Sequence, residues 1–307
     1  MNMQTINPMA ISRRQFIART GAALASTAAA PAVLHSAGMP KAVVGSNVYG
    51  WTQYYSREKK PFKVEEVIAA LSDCGYDYLE SFLDLGNPQK NVEFSGKLKA
   101  KGLRLVSMYA GPPMHEVEAA KKSVSQALKC CEALKNEGLQ VLSFNPAPIG
   151  REKTDEELKT QVAALIELGR GLNAMGIKLG IHHHLPEMKN GAREFHYNFR
   201  NSPPEVVGFC YDVHWVWKGG IQPQDALREY GNRVVTMHIR QSRENIWWED
   251  LDTGDVDYDY VARYVREHNL PQRFTVELAL EGGTKVTRSA VENHRRSREF
   301  IRRVFGV

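Results

Sequence analysis

Cysteine is scarce in this sequence, and its spacing provides no framework. The four cysteines are Cys74, Cys130, Cys131 and Cys210, and no two of them form a C-x-x-C pair. A disulfide scaffold or a structural zinc site would require regular spacings of that kind. We therefore expect small core residues or free thiols rather than a disulfide-rich module or a zinc finger.

Long apolar runs and basic clusters are missing as well. No stretch stays apolar over the length that a membrane-spanning helix needs, and no basic run is interleaved with aromatic residues as in nucleic-acid-binding surfaces. The net charge of the 307 residues is +5, and the first 37 residues, which contain three arginines and no acid, supply three of those charges. The nearly balanced remainder favours neither a nucleic-acid partner nor a membrane anchor in the mature protein.

The beginning of the chain has a composition of its own. It reads ISRRQFIARTGAALASTAAAPAVLHSAG, with an arginine pair, then Phe16, then an alanine-rich run and Pro31. This succession resembles a twin-arginine export signal, and a disordered basic tail is the alternative. We expect residues 1–37 to be the signal peptide of a periplasmic enzyme, and residues 38–307 to be its catalytic domain.

Four glycines each stand between a helical segment and a short apolar segment. They are Gly75, Gly102, Gly138 and Gly176, in the segments CGYDYLES, KGLRLVSM, EGLQVLSF and MGIKLGIH. A glycine after the last turn of a helix suits a position where φ is positive. Helices and strands that alternate in this way are typical of parallel βα units.

The same pattern extends to eight predicted strands, each followed by a helix-compatible stretch. They lie within residues 42–47, 74–81, 101–108, 137–144, 175–182, 206–211, 233–239 and 273–278. Eight βα units over about 250 residues are typical of a (β/α)8 TIM barrel. An open doubly wound sheet is the alternative, but the phosphate-binding patterns GxGxxG and GxxxxGK are both absent from the chain.

The alternation of side chains along a strand predicts which residues face the barrel interior. Ionisable residues occupy inward positions near the strand ends: Glu80, His182, His184, Asp212, His214, His238, Arg240 and Glu277. Enzymes with this fold carry their sites at the C-terminal rim of the barrel. Because an unpaired buried carboxylate is costly, we expect these residues to share a cation or a polar substrate; a structural ion-pair network is the alternative.

Carboxylates and imidazoles from several strands suit Mn²⁺, Co²⁺, Zn²⁺ or Mg²⁺. We predict one divalent metal ion, held by Glu187, Asp212, His238 and Glu277. His182 competes with Glu187, because it stands nearer the end of the fifth strand while Glu187 lies a few residues into the loop.

Several short motifs follow one another in an order that resembles a known family. They are HHHLPEM (182–188), YDVHWVWKGG (211–220), HIRQ (238–241), TGDVDY (253–258) and the glutamate of VELAL (276–280). Over roughly residues 42–305 the chain resembles the sugar phosphate isomerase/epimerase superfamily, the xylose-isomerase-like TIM barrels. The resemblance implies a metal held by two glutamates, an aspartate and a histidine, which correspond here to Glu187, Asp212, His238 and Glu277.

The chain also departs from that family pattern at three positions. Arg240 stands where lysine is usual, Gln241 where an acid is usual, and His182 where the epimerase members place the first glutamate. Arginine keeps the positive charge but binds oxyanions with a planar fork. The position of His182 favours the branch of the family that handles keto-sugars or inososes, which includes dehydratases and lyases.

We therefore expect a sugar isomerase or epimerase that acts on a keto- or aldo-sugar and abstracts a proton next to a metal-bound carbonyl. The candidate bases are Glu277, Glu187 and His184. A lyase or dehydratase acting on a 3-keto-glycoside or an inosose is the alternative. Two further classes stay open, a non-catalytic periplasmic sugar-binding protein and a metal-dependent phosphoesterase, although the chain lacks the extra metal ligands that the latter requires.

The remaining candidates are predicted to contact the substrate, which we expect to be a small sugar. They are Glu80, His182, His214, Arg240, Lys218 and Trp215. Each has a structural alternative: Glu80 could pair with a buried arginine, His214 could support another site residue, Lys218 could be solvated and Trp215 could belong to the core. The segment NIWWEDL (245–251) could cover the pocket, and a homo-oligomer is compatible with the fold.

Overall fold

The structure is a computed structural model that describes residues 42–307. The predicted signal peptide, residues 1–37, lies outside the described residues. The ten strands are β1 Val43–Asn47, β2 Tyr78–Phe82, β3 Ser107–Ala110, β4 Val141–Phe144, β5 Lys178–Ile181, β6 Gly208–Asp212, β7 Val234–Ile239, β8 Ser242–Arg243, β9 Ile246–Trp247 and β10 Arg273–Val276.

Ten α-helices and a 3₁₀ turn at Gly231–Arg233 alternate with these strands in the described part of the chain. The helices are α1 Val48–Arg57, α2 Val64–Asp73, α3 Pro88–Lys99, α4 Val117–Leu134, α5 Asp155–Ala174, α6 Lys189–Arg200, α7 Val213–Lys218, α8 Pro223–Tyr230, α9 Tyr258–Glu267 and α10 Ala290–Phe305. None of the described helices combines the length and the apolarity that crossing a bilayer requires.

Eight of the strands close into a parallel barrel in the order β1-β10-β7-β6-β5-β4-β3-β2. The small strands β8 and β9 form a separate antiparallel hairpin in the connection that follows β7. All eight predicted strands are present in the predicted order, and the predicted (β/α)8 barrel is confirmed. The open doubly wound sheet is excluded, since β1 pairs with both β2 and β10.

The four glycines that were predicted to follow helices adopt the expected backbone conformation. Gly75, Gly102, Gly138 and Gly176 have φ values of 77°, 74°, 108° and 76°. A side chain is strained in this left-handed region, so glycine allows each helix to end and the chain to turn directly into the next strand.

Below the C-terminal rim, the barrel interior is filled by a tyrosine ring that lies over a glycine of the neighbouring strand. Gly45 of β1 lies in register with Tyr78 of β2, and the buried Tyr78 ring covers the position that a Cβ at residue 45 would take. The Tyr78 hydroxyl reaches Thr275 Oγ1 at 2.7 Å. Because side chains alternate along a strand, Glu80 faces the same interior one layer closer to the C-terminal rim.

This packing predicts that Gly45→Ala destabilises the protein. The new methyl group would overlap the Tyr78 ring, which is fully buried and whose hydroxyl is fixed by Thr275. We expect a loss of about 1–3 kcal/mol, as is usual for an overpacked core, measured as a lower urea midpoint.

Gly96→Ala is the matched control for this substitution. Gly96 lies in α3, and a Cβ there meets no atom within 4 Å. Alanine should therefore stabilise this helix by about 0.5–1 kcal/mol. Equal midpoints for Gly45→Ala and the unsubstituted protein would show that the barrel interior is looser than described.

Candidate active site

Four ionisable side chains converge at the C-terminal ends of four neighbouring barrel strands. His182 follows β5, Asp212 ends β6, His238 lies near the end of β7 and Glu277 follows β10. One nitrogen or oxygen atom from each of the four lies within 4.8 Å of those from the other three. All four residues are buried, with exposed fractions between 0% and 6%, so the cluster is a closed, charged centre rather than a solvated surface patch.

Short polar contacts connect the members of this cluster to one another. His182 Nε2 lies 3.2 Å from Asp212 Oδ2, and His238 Nδ1 lies 3.2 Å from Glu277 Oε2. Between the two carboxylates lies Arg240, whose Nη2 is 3.2 Å from Asp212 Oδ2 and 3.2 Å from Glu277 Oε2. Each carboxylate is therefore paired with one imidazole and with the same guanidinium group.

This pairing decides the ionisation of both acids. Burial alone raises the pKa of Asp212, but the charge of Arg240 and the hydrogen bond with His182 outweigh it and hold the pKa well below its usual value. Burial likewise raises the pKa of Glu277, and Arg240 and then His238 lower it to about 2. Both acids are therefore carboxylates at neutral pH.

Glu80 lies beneath the cluster, and the structure corrects the prediction that it contacts substrate. Its Oε1 accepts a hydrogen bond from Asn47 Nδ2 at 2.8 Å and lies 2.9 Å from His238 Nε2. Its Oε2 accepts from the hydroxyls of Ser107 and Ser143. Because Glu80 stands in the middle of β2 rather than at its end, it is fully buried below the rim and supports the His238 ring.

The charge of Glu80 is stabilised by these neighbours. Burial raises the pKa of this carboxyl, but His238, Ser107 and Asn47 lower it to about 2. Burial lowers the pKa of His238, but Cys210, then Glu80 and then Glu277 outweigh it and raise this pKa well above its usual value. The centre around His238 therefore favours positive charge.

A cavity of about 300 Å³ opens above the cluster. Its polar floor is formed by Asn47, His182, His184, His238, Arg240 and Glu277. Its walls are aromatic and consist of Tyr49, Phe82, Tyr109, Trp215 and Trp247. Aromatic faces of this kind pack against the apolar faces of ring-shaped ligands, while the floor offers hydrogen bonds.

The predicted metal ligand Glu187 is not part of this cluster, which corrects the predicted set. Its Oε2 accepts a hydrogen bond from the His184 backbone N–H at 2.7 Å, and its side chain lines a separate cavity of about 170 Å³. The chain turns directly after His184, so a residue three positions later points back to the turn and away from the barrel axis. Burial raises the pKa of Glu187 to about 7. His182 occupies the place in the cluster that was predicted for Glu187.

The other predicted contacts fall into two groups. His184 and Trp215 line the cavity together with His182 and Arg240, and burial and then the neighbouring His182 lower the pKa of His184 to about 3. His214 does not line the cavity, because α7 carries its ring among tryptophans behind the wall.

Lys218 does not line the cavity either. Its Nζ donates a hydrogen bond to the backbone oxygen of Asn245 at 3.1 Å and lies 3.4 Å from Glu281 Oε2. Glu281 Oε1 in turn accepts from the Trp247 backbone N–H at 2.7 Å. Lys218 and Glu281 therefore hold the β8–β9 hairpin, which contributes Trp247 to the cavity wall.

Sequence reasoning found Trp215 and the segment that contains Trp247 but missed Tyr49, Phe82 and Tyr109, because at the strand ends it considered ionisable side chains only. Phe82 ends β2 and Tyr109 is the next-to-last residue of β3, so the same positional rule applied to aromatic residues would have found both. Tyr49 lies in the first turn of α1, and nothing in the local sequence distinguishes it from Trp51, which is buried against His294 instead.

The donor atoms of the cluster fit a divalent metal ion. Two imidazoles and two carboxylates form a mixed nitrogen and oxygen set of the kind that binds borderline divalent cations. His182 Nδ1 has no hydrogen-bond partner in the described part of the chain, so this imidazole is not fully committed to other contacts, whereas both ring nitrogens of His238 face carboxylates. His182, Asp212, His238 and Glu277 are the residues that would hold such an ion.

This geometry predicts that Asp212→Asn removes bound metal whereas Glu187→Gln does not. Asparagine preserves the oxygen that accepts a hydrogen bond from Trp215 N at 2.8 Å, but it removes the negative charge from the cluster. Plasma mass spectrometry of purified protein should find near-stoichiometric metal in the unsubstituted protein and in Glu187→Gln, and less than a tenth of it in Asp212→Asn. Loss of metal from Glu187→Gln alone would restore the ligand set predicted from sequence.

Three relatives illustrate what the chain is similar to. An inosose dehydratase from Geobacillus kaustophilus (strain HTA426) is 21% identical over 223 residues, which cover 67% of this chain and 69% of that protein. A sugar phosphate isomerase/epimerase from Parabacteroides distasonis ATCC 8503 superposes with a TM-score of 0.69 at 19% identity, covering 87% of this chain and 95% of its own. A 3-keto-D-glucoside 4-epimerase from E. coli gives a TM-score of 0.63 at 16% identity, covering 86% of this chain and 100% of its own.

At these identities the two solved structures show the fold alone. Residues 68–304 also match the xylose isomerase-like TIM barrel family, a span that includes seven of the eight barrel strands and all four residues of the cluster. The chain belongs to the xylose isomerase-like TIM barrel family.

Proposed function

We propose that this protein is a metal-dependent sugar isomerase or epimerase that moves a proton on a carbon next to a carbonyl group. The observation that carries the proposal is the convergence of His182, Asp212, His238 and Glu277 under a cavity with aromatic walls. A divalent ion bound by these side chains would supply Lewis-acid polarisation of the carbonyl oxygen.

The aromatic walls are suited to positioning a sugar ring. Trp215 and Trp247 stand edge to face, with ring centroids 5.6 Å apart, and Phe82 and Tyr109 form a second such pair at 5.8 Å. A sugar ring that packs against these faces would displace water from the floor of the cavity. The hydroxyl groups of the sugar then meet the hydrogen-bonding side chains of the floor.

His184 is the proposed base for proton transfer because of its position; burial lowers its pKa to about 3, so the imidazole is unprotonated at neutral pH and free to accept a proton. Its imidazole lines the cavity next to the cluster, with its ring centroid 4.7 Å from that of His182. Glu277, the second candidate, is already engaged by His238 and Arg240, which reduces its capacity to accept a proton. Glu187, the third candidate, lines the other cavity and holds the turn that positions His184.

A second candidate function is elimination of water from a keto-sugar or an inosose. The similarity to an inosose dehydratase favours it, and so does His182 in place of the usual glutamate. In that reaction His184 would accept the proton from the carbon next to the carbonyl, and the hydroxyl on the adjacent carbon would leave as water after protonation. The same residues serve both reactions, and the substrate decides between them.

Proton NMR in deuterated water separates these possibilities. Ketohexoses and inososes are incubated with the metal-loaded protein. An isomerase or epimerase produces an isomer that carries deuterium at the exchanged carbon, and a dehydratase produces a signal for a dehydrated product. A non-catalytic binding protein gives neither exchange nor product, although the sugar still binds.

We predict that His184→Ala abolishes turnover and leaves metal binding intact. Removal of a general base usually lowers the rate by about 10²–10⁴-fold, and His184 is not one of the four clustered ligands. The measurements are kcat and metal content on the same preparation. Metal loss in His184→Ala would reassign this histidine to the ion and remove it as the base.

His183→Leu is the matched control for that variant. His183 packs against Phe195 and Phe209, and neither of its ring nitrogens has a partner in the described part of the chain. A leucine suits these apolar surroundings, so turnover should stay within about threefold of the unsubstituted protein, because removal of groups without hydrogen bonds costs little. A collapse of turnover in His183→Leu would indicate that any change in this loop disturbs the site.

We also propose that residues 1–37 direct export to the periplasm by the twin-arginine route. The proposal rests on the arginine pair and the alanine-rich run of the sequence. Replacement of Arg13 and Arg14 by lysine should retain the full-length chain in the cytoplasm, which cell fractionation and immunoblotting would measure. Export of the double-lysine variant at the normal level would contradict the proposal.

A further inference from the structure

Arg240 occupies an unusual position for a residue that was predicted to contact substrate. It directly follows β7, its exposed fraction is 2%, and its Nη2 lies 3.2 Å from a carboxylate oxygen of both Asp212 and Glu277. Its guanidinium carbon lies 4.6 Å from the ring centroid of Trp247 and 5.4 Å from that of Trp215. A positive charge is therefore part of the cluster itself, held from the side by two aromatic rings.

Only part of the guanidinium group is used by these contacts. Nε and Nη1 of Arg240 are buried without a hydrogen-bond partner in the described part of the chain, and Arg240 lines the cavity. Unpaired buried donors are costly, so the other contacts of this side chain have to offset that cost. The contact with both acids indicates that its charge is what the centre requires.

The charge balance of the centre explains this requirement. Glu80, Asp212 and Glu277 are three buried carboxylates. Arg240 contacts Asp212 and Glu277 and keeps its charge in every state, whereas His238, which contacts Glu80 and Glu277, must lose its proton before it can bind a metal ion. Histidines that bind metal do so as neutral imidazoles. With three carboxylates and one guanidinium group, the centre has a net charge of −2, which one divalent ion neutralises.

We propose that Arg240 is a resident cation of the metal centre: it bridges Asp212 and Glu277 whether or not metal is bound, limits the affinity for the ion, and makes the loaded centre electrically neutral. This inference rests on the proposed function only in requiring that a divalent ion binds. Arg240 is in this sense a positioning residue, which acts through the two carboxylates.

Neutrality has a consequence for the chemistry above the cluster. When a proton leaves the carbon next to a carbonyl, negative charge grows on the carbonyl oxygen. Without Arg240 the loaded centre would carry a net negative charge, which would attract the ion more strongly and repel that growing charge. Arg240 therefore weakens metal binding while it favours the reaction. Removal of its charge should raise the affinity for metal and lower the turnover rate, and the two quantities are measured separately.

The test compares Arg240→Gln, which removes the charge, with Arg240→Lys, which keeps it. Co²⁺ is titrated into metal-free protein in competition with a chelator, and the visible absorption of the bound ion reports its coordination. Because a unit charge near a divalent ion in a protein interior changes the binding energy substantially, Arg240→Gln should bind Co²⁺ at least about tenfold more tightly than the unsubstituted protein. Arg240→Lys should stay within about threefold of it.

Lys218→Gln is the matched control for loss of a nearby positive charge. Lys218 contacts Asn245 and Glu281 but none of the four clustered residues. Its Co²⁺ affinity should therefore equal that of the unsubstituted protein within about twofold, as expected for a partly solvated charge. A rise in affinity as large as that of Arg240→Gln would show that general surface charge, and not the bridge, sets the affinity.

The melting temperature gives a second readout, and it would not change if Arg240 only bound substrate. In EDTA, Arg240→Gln should melt at a lower temperature than the unsubstituted protein, because two buried carboxylates lose their common partner. With Co²⁺ bound, that difference should shrink. If metal-free Arg240→Gln does not fold, the cobalt-loaded variant is purified, and its release of Co²⁺ to EDTA should be slower than that of the unsubstituted protein.

The outcomes separate this inference from the proposed function. Equal or weaker Co²⁺ binding by Arg240→Gln, or equally fast release where that variant is studied loaded, overturns the resident cation while the metal-dependent function stands. Failure of the unsubstituted protein and of every variant to bind Co²⁺ at millimolar concentration overturns both. A tighter but slower Arg240→Gln enzyme, with Arg240→Lys close to normal in affinity, is the expected result.

Discussion

Burial of negative charge is the constraint on which the upper half of the barrel depends. Glu80, Asp212 and Glu277 are almost completely shielded from water, and an unpaired carboxylate in such a place costs several kcal/mol. Each is therefore surrounded by donors from other strands: Glu80 by an amide, two hydroxyls and an imidazole, and the other two by imidazoles and Arg240. The site is a consequence of satisfying these three charges in one closed space.

The residues that satisfy this constraint lie in successive layers along the barrel axis. At the bottom, Tyr78 closes the interior over Gly45, and Glu80, two residues further along β2, stands on that layer and holds His238. The cluster forms the next layer, and aromatic residues from strand ends and from the β8–β9 hairpin complete the cavity above it. The lower layers are structural, whereas the uppermost layer comes from strand ends and connections, where related barrels vary their chemistry.

The periodic parts of this arrangement could be predicted from sequence. The eight strands, the glycines that follow helices, and the inward direction of Asp212, His238 and Glu277 all follow from two-residue alternation and from turn geometry. The same alternation indicated that Glu80 faces inward but carried no information about depth. How deep a residue lies below the rim depends on the stagger of the strands in the closed barrel. The sequence therefore predicted a substrate contact for Glu80, whereas Glu80 lies one layer below the cluster and supports His238.

By itself, the sequence determined the fold class, the family resemblance and three of the four residues in the cluster, because regular backbone repeats translate residue spacing into direction. Only the tertiary structure decided between His182 and Glu187, placed Arg240 between two carboxylates, and moved His214 and Lys218 out of the cavity. These outcomes depend on the turn after β5, the course of α7 and the closure of the barrel. Such features arise from contacts between residues far apart in the chain, which no local periodicity encodes.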